Sequence, residues 1–139
     1  MIGSELRLRR IADPEAVRAL RHALAAFLDA IEIRAPLRDD AIVAVGEVLA
    51  NAVEHAYPSS ALGPVEMSVR QHDARTLIVD VVDRGTFKER APIPGRGYGL
   101  GIARAVARSV TVAKHSGTHV QVVFDLLRDD ATAKRTAAT

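Results

Sequence analysis

The chain of 139 residues contains no cysteine and no tryptophan, and aromatic residues make up only 4% of it. Without cysteine, disulfide bonds and thiolate metal ligands are excluded, and an intracellular, cytoplasmic protein is expected. The scarcity of aromatic rings argues against a surface that stacks the bases of single-stranded nucleic acid. The formal net charge is only +2, which gives no electrostatic reason for a direct nucleic-acid partner.

Long hydrophobic runs are also missing. The N-terminus alternates charged and apolar residues, so we expect neither a signal peptide nor a transmembrane helix, and no membrane partner. What remains is an ordinary globular composition, 48% hydrophobic and 26% charged, in a chain long enough to bury a sizeable core. We expect one domain over residues 1–128, followed by a disordered tail, residues 129–139, which lacks apolar anchors.

Apolar periodicity predicts the order strand, helix, helix, strand, strand, helix, strand, strand. The predicted strands cover residues 4–11, 65–71, 76–83, 110–115 and 119–127. The first predicted helix starts at Asp13-Pro14, the second covers residues 36–56, and the third runs from about 99 to 108. Hairpins favour a mixed, mostly antiparallel sheet with three helices on one face, which is a two-layer α/β (α+β) sandwich.

The second predicted helix carries three polar residues, Glu47, Asn51 and His55, at intervals of four. Each interval turns the helix by only about 40°, so a carboxylate, a carboxamide and an imidazole share one stripe beside an apolar face. A Glu can act as a base, and an Asn oxygen can coordinate a hard cation such as Mg²⁺. Taken alone, a solvated polar stripe is the simpler interpretation of this helix.

Alternation along the strands puts Asp83 and Thr118 on the side of the sheet that faces the helices. A buried carboxylate is costly unless it is paired or hydrogen-bonded. Asp83 can cap a turn with Gly85, or it can accept a hydrogen bond from a bound ligand such as the amino group of adenine. Thr118 would then complete the polar lining. The residues alone leave both interpretations open.

A glycine-rich run ends at the start of the third predicted helix, where Arg96 precedes Gly97, Gly99 and Gly101. Glycines let backbone N–H groups approach an anion, and a helix N-terminus adds the positive end of its dipole. Arg96 can add a charge-assisted contact to phosphate. The run is not a Rossmann signature, because no strand leads directly into it, nor a Walker A loop, because no Gly-Lys-Ser/Thr follows.

Four motifs, in this order, resemble those of the GHKL (Bergerat-fold) ATPases. They are Glu47-x-x-x-Asn51 with His55-Ala56 (the N box), Asp83-Arg84-Gly85 (the first glycine box), Gly97 to Gly101 (the second glycine box) and Gly117-Thr118 (the threonine motif). Within that superfamily, residues 50–57 and 83–87 look most like those of the bacterial anti-sigma-factor serine/threonine-protein kinases. The segment between the two glycine boxes is short for an ATP lid.

The resemblance implies ATP and Mg²⁺ as cofactors and a role for each motif residue. Glu47 would be the general base for an attacking serine hydroxyl, and Asn51 would supply an oxygen to Mg²⁺. Asp83 would accept from the adenine amino group, with Gly85 keeping the backbone clear of the ring. The other implied nucleotide-binding residues are Arg96, Gly97, Gly99, Leu100, Gly101, Thr118 and His55, although for His55 a structural role is the simpler interpretation.

By the same resemblance, the protein would phosphorylate a serine on an anti-sigma-factor antagonist and hold a sigma factor by partner switching. Two alternatives stay open: the ATP-binding catalytic domain of a histidine kinase, and a nucleotide-switched regulatory module without kinase activity. The histidine kinase reading needs an upstream helical hairpin with a phosphoacceptor His, whereas one strand and one helix precede the N box. The exposed face of that strand and helix is compatible with a homodimer.

Overall fold

The computed structural model describes residues 3–85 and 100–127. In chain order, the elements are β1 (Glu5–Ile11), α1 (Pro14–Ala30), α2 (Leu37–His55), β2 (Pro64–Asp73), β3 (Thr76–Asp83), α3 (Gly101–Val106), β4 (Ser109–Lys114) and β5 (Thr118–Asp125). The predicted order of strands and helices is confirmed. The predicted tail, residues 129–139, and the segment 86–99 lie outside the described residues, so the domain limits and the short lid stay predictions.

The five described strands form one sheet in the order β1-β2-β3-β5-β4, with β1 at one edge. All four neighbouring pairs are antiparallel. The predicted two-layer α+β sandwich with a mostly antiparallel sheet is therefore confirmed. No parallel pair occurs among the described strands.

The hydrophobic core lies between the three helices and one face of the sheet. Helix α2 is central, since it contacts α1 on one side, α3 on the other, and the strands β3 and β5 beneath it. Its apolar side supplies a run of buried side chains at helical spacing: Leu37, Ala41, Ala44, Val45, Val48, Leu49 and Ala52. Because burial of apolar surface is the main stabilising term, this packing fixes the rotation of α2 and hence the direction of its polar residues.

The ends of the helices have identifiable causes. Asp13 caps α1 by accepting a hydrogen bond from the Ala16 N–H at 2.9 Å, as the Asp-Pro start predicts. Helix α3 is shorter than predicted at its C-terminal end. Its cap residue, Ala107, is extended, and the N–H of Arg108 donates to the carbonyl oxygen of Val123 at 2.7 Å. The chain leaves the helix there because its backbone joins strand β5.

None of the helices in the described part of the chain has the length and apolar character needed to cross a membrane.

Candidate functional site

Asp83 lies at the end of β3 and is 6% exposed. Its partner in the antiparallel register with β5 is Thr118. The Asp83 Oδ1 atom accepts hydrogen bonds from the backbone N–H groups of Gly85, at 3.0 Å, and of Thr118, at 3.2 Å. The sequence predicted that Asp83 and Thr118 share the helix side of the sheet, and the register and the burial of Asp83 agree with that prediction.

The carboxyl group of Asp83 is perturbed by this environment. Burial raises its pKa above the ordinary range for an aspartic acid, and the hydrogen bonds from Gly85 and Thr118 oppose that rise without cancelling it. A carboxylate in this condition gains from a further hydrogen-bond donor, because the donor offsets part of the lost solvation. Capping of a turn with Gly85, which the sequence left as one alternative, does occur, and it does not complete the compensation.

Two glycines allow the backbone to close around Asp83. A Cβ added to Gly85 would lie 1.8 Å from the carbonyl oxygen of Ala56, the residue that follows α2. A Cβ added to Gly117, whose φ is +131°, would lie 2.1 Å from the carbonyl oxygen of Asp83. Real Cβ atoms do not approach other atoms so closely, so both positions require glycine. Gly85 thereby brings the end of β3 against the end of α2.

Glu47 and Asn51 lie on α2, as predicted, and each carries one fully buried polar atom. Neither Oε2 of Glu47 nor Nδ2 of Asn51 has a hydrogen-bond partner among the described residues. Buried side-chain polar atoms are normally paired, and an unpaired one is a reason to look for a ligand, ion or water. The two atoms are an acceptor and a donor, one turn apart on the same stripe.

His55 differs from the other two members of the stripe. It is the last residue of α2, its side chain is 37% exposed, and its Nε2 lies 3.6 Å from Oε2 of Glu54. The structure therefore gives His55 a neighbour at the helix end and does not bury it with Glu47 and Asn51. Its nucleotide-binding role stays a prediction.

The second glycine box is described only at its end. Leu100 is buried in the core, and Gly101 begins α3, where no atom among the described residues lies within 4 Å of an added Cβ. The other predicted phosphate-binding residues, Arg96, Gly97 and Gly99, lie outside the described residues, so their roles stay predictions.

Tyr57 connects the elements of this site, and its role was not predicted from the sequence. Its hydroxyl group contacts both the start of β2 and the residue after Asp83. The signal was an aromatic residue with a polar tip directly after the polar-stripe helix and before Pro58. Buried or half-buried Tyr hydroxyls usually find a hydrogen-bond partner.

Two solved structures share this fold. One holds the RsbU and RsbW domains of a Mycobacterium tuberculosis protein, with a TM-score of 0.70 and 23% identity over 87% of this chain and 32% of that chain. The other is a histidine kinase domain from the blue-light activated histidine kinase of Erythrobacter litoralis, with a TM-score of 0.56 and 21% identity over 88% of this chain and 64% of that chain. This chain thus spans about a third of the first protein and under two thirds of the second.

No curated protein matches this sequence significantly. A family model does match, over residues 11–124, and it describes a histidine kinase-like ATPase domain. The match includes every described element of the site, from Glu47 on α2 to Thr118 on β5. The chain therefore belongs to the family of histidine kinase-like ATPase domains, the GHKL class that its motifs resemble.

Proposed function

We propose that this protein binds ATP with Mg²⁺ and transfers the γ-phosphate to a serine hydroxyl of a partner protein, as an anti-sigma-factor kinase. The observation that carries the proposal is a pair of buried atoms on α2, Glu47 Oε2 and Asn51 Nδ2, that have no hydrogen-bond partner within residues 3–85 and 100–127. Leaving a buried donor or acceptor unpaired costs about 1–3 kcal/mol. A protein retains two such atoms on one stripe where a ligand completes their hydrogen bonding.

The positions along α2 suit a nucleoside triphosphate. Ala56, at the end of the helix, contacts Gly85 beside the buried carboxylate of Asp83. Asn51 and Glu47 precede Ala56 by five and nine residues. A rise of about 1.5 Å per residue converts these intervals to roughly 7.5 and 13.5 Å along the helix axis. The adenine, the phosphates and the serine hydroxyl that receives the phosphate would thus follow one another along a single helix.

Asp83 would anchor the adenine. Two backbone N–H groups already hold its Oδ1 atom, which orients the carboxylate, and burial raises its pKa, so a further donor would favour the ionised form. The amino group of adenine is a donor, whereas guanine presents a carbonyl oxygen at the corresponding position. A carboxylate acceptor at this point therefore favours ATP over GTP.

Asn51 would contribute its amide oxygen to Mg²⁺, which when bound supplies a positive charge beside the phosphates, and its Nδ2 would donate a hydrogen bond to a phosphate oxygen. Within residues 3–85 and 100–127, no group of three or more His, Cys, Asp or Glu side chains forms a candidate metal cage. Mg²⁺ does not require one, because it commonly takes one or two protein oxygens and completes its shell with water and phosphate oxygens. The donor set here fits that mode of binding.

Glu47 would act on the serine hydroxyl that accepts the phosphate. Its carboxylate would take the proton from the serine hydroxyl as the serine oxygen attacks phosphorus. The buried Oε2 atom, which has no hydrogen-bond partner in the part of the chain that the structure describes, is the group available for that hydrogen bond. Asn51 and Glu47 therefore have separate roles. Asn51 would act at the phosphates, and Glu47 would act at the serine hydroxyl.

The anti-sigma part of the proposal draws on the fold comparison. The structure that contains an RsbW domain overlaps this chain with a TM-score of 0.70, against 0.56 for the histidine kinase domain. We propose a serine of an anti-sigma-factor antagonist as the substrate and a sigma factor as the second partner. Such partners imply a cytoplasmic location.

A histidine kinase catalytic domain is the second candidate, since the matching family model carries that description. Incubation with ATP labelled at the γ-phosphate, alone and with a panel of candidate antagonist domains, separates the two. Label on a partner serine survives acid, whereas label on a histidine is lost in acid. Acid-stable label on a partner that contains serine supports the proposal, and acid-labile label on a histidine supports the alternative. ATP binding without any transfer would indicate a nucleotide-switched binding module.

A further inference from the structure

Tyr57, the second residue after α2, makes two hydrogen bonds with its hydroxyl group. It donates to the carbonyl oxygen of Pro64 at 2.6 Å and accepts from the backbone N–H of Arg84 at 2.8 Å. The directions are fixed, because the phenol has one proton and a carbonyl oxygen can only accept. Tyr57 thereby joins the end of α2 to the start of β2 and to the residue that follows β3.

The ring of Tyr57 packs against the loop that precedes β2. A Cβ added to Gly63 would lie 2.4 Å from Cε1 of the ring, so the ring packs directly on the Gly63 backbone. The carbonyl oxygen of Gly63 accepts a hydrogen bond from the N–H of Ala12 at 2.9 Å, which ties this loop to the connection between β1 and α1. The backbone on which the ring packs is thus itself hydrogen-bonded to a neighbouring connection.

The N–H group that donates to Tyr57 belongs to Arg84, the middle residue of the turn 83–85. This turn contains Asp83, the proposed adenine acceptor. Asp83 supplies the carboxylate, and the N–H of Gly85 donates to it at 3.0 Å. Arg84 lies between them, and its N–H points to Tyr57 instead. This hydrogen bond spans 27 residues in sequence and connects the turn to the helix that carries Glu47 and Asn51.

We infer that Tyr57 is a positioning residue for the nucleotide site. Its hydroxyl group fixes the turn 83–85 relative to α2 and so sets the spacing between the adenine acceptor and the polar stripe of the helix. The inference rests on the proposed binding of ATP. The substitution Tyr57→Phe isolates the effect, because it keeps the ring on Gly63 and removes only the partner of the Arg84 N–H and of the Pro64 carbonyl.

The test compares ATP with purine riboside triphosphate, which lacks the adenine amino group, on the parent protein and on Tyr57→Phe. Loss of one hydrogen bond should weaken ATP binding about threefold to tenfold. The analogue should lose much less, because it makes no bond to the acceptor that is displaced. The preference for ATP over the analogue therefore falls, the KM for ATP rises, and kcat at saturating ATP stays near the parent value.

Asp73→Ala is the matched control. It removes a side-chain hydrogen bond to a backbone N–H, that of Arg75, in the turn at the opposite end of β3. Its ATP affinity and its preference for ATP should equal those of the parent. A fall in preference in both variants would indicate a general loosening of the sheet and would overturn the inference.

Amide hydrogen exchange without nucleotide gives a second reading, since Tyr57→Phe should speed exchange at the Arg84 N–H. Unchanged exchange, or an unchanged preference for ATP in a parent protein that does prefer ATP, overturns the role of Tyr57 and leaves the proposed function standing. A parent protein that binds neither nucleotide overturns the proposed function, and the role of Tyr57 with it.

Discussion

Gly85 lies directly against the carbonyl group of Ala56, so that a single added carbon atom at Gly85 would come within 1.8 Å of the Ala56 oxygen. This contact brings the end of β3, with its buried carboxylate, to the end of the helix that carries Glu47 and Asn51. The two halves of the proposed nucleotide site meet there through backbone atoms. Their spacing is therefore set by the fold and not by flexible side chains.

The first prediction concerns this contact. Gly85→Ala should lower the free energy of unfolding by about 3 kcal/mol or more, because backbone and not a movable side chain opposes the new methyl group. Thermal unfolding followed by circular dichroism measures the change. Gly101→Ala is the control, since no atom of residues 3–85 or 100–127 outside its own helix turn lies within 4 Å of its added Cβ. Equal melting temperatures for the two variants would contradict the contact.

The second prediction concerns the base. Asp83→Asn should weaken ATP binding by about tenfold or more and should reduce the preference for ATP over GTP, because the amide presents donors where an acceptor is needed. Asp80→Asn is the control, since Asp80 lies on the same strand but contacts His119 and Gln121 on the other face of the sheet. Calorimetric titration with both nucleotides is the measurement. Parent-like ATP affinity in Asp83→Asn would exclude Asp83 as the adenine acceptor.

The third prediction is the pH dependence that follows from the raised pKa of Asp83. Between the ordinary carboxyl range and the raised value, the folded state holds more protons than the unfolded state, so the contribution of Asp83 to stability falls as pH rises through that window. A donor from adenine favours the ionised carboxylate. ATP binding should therefore tighten as pH rises through the same window and should release protons.

Calorimetry in buffers of different ionisation enthalpy measures that proton release. Asp83→Asn supplies the comparison, because it has no carboxyl group to titrate at this position. If the parent and Asp83→Asn release the same number of protons and share one pH profile, the titrating group lies elsewhere.

The fourth prediction separates the proposed roles of Asn51 in Mg²⁺ binding and of Glu47 in proton transfer. Asn51→Ala should reduce Mg²⁺-dependent ATP binding, whereas Glu47→Gln should keep most of the binding and abolish phosphate transfer. The physical reason is that an amide oxygen can serve a cation, while only the carboxylate can take a proton. ATP titrations with and without Mg²⁺, followed by a transfer assay, measure both effects.

Glu54→Gln controls for loss of charge on the same helix, because the side chain of Glu54 is 64% exposed. It should bind ATP and transfer phosphate as the parent does. Normal turnover by Glu47→Gln would show that Glu47 is not the essential base.

Much of the fold could be predicted from the sequence, because side-chain periodicity is a local property. Alternation in β3 and β5 put Asp83 and Thr118 on the buried side, and spacing by four put Glu47 and Asn51 on one stripe. The end of α3 could not be predicted, since it depends on the hydrogen bond of Arg108 with a residue of another strand. The helix propensity of the local sequence does not depend on a hydrogen-bond partner in a distant segment.

The sequence by itself determined the element order, the faces of the strands and the motif residues, all of which follow from intervals of two to four residues along the chain. Only the tertiary structure decided that Glu47 and Asn51 each bury an atom that has no partner among the described residues, and that Gly85 lies against Ala56. It alone revealed Tyr57, whose partner Arg84 is 27 residues away. The physical reason is that burial and backbone contact are properties of packed elements, and they exist only after distant segments have come together.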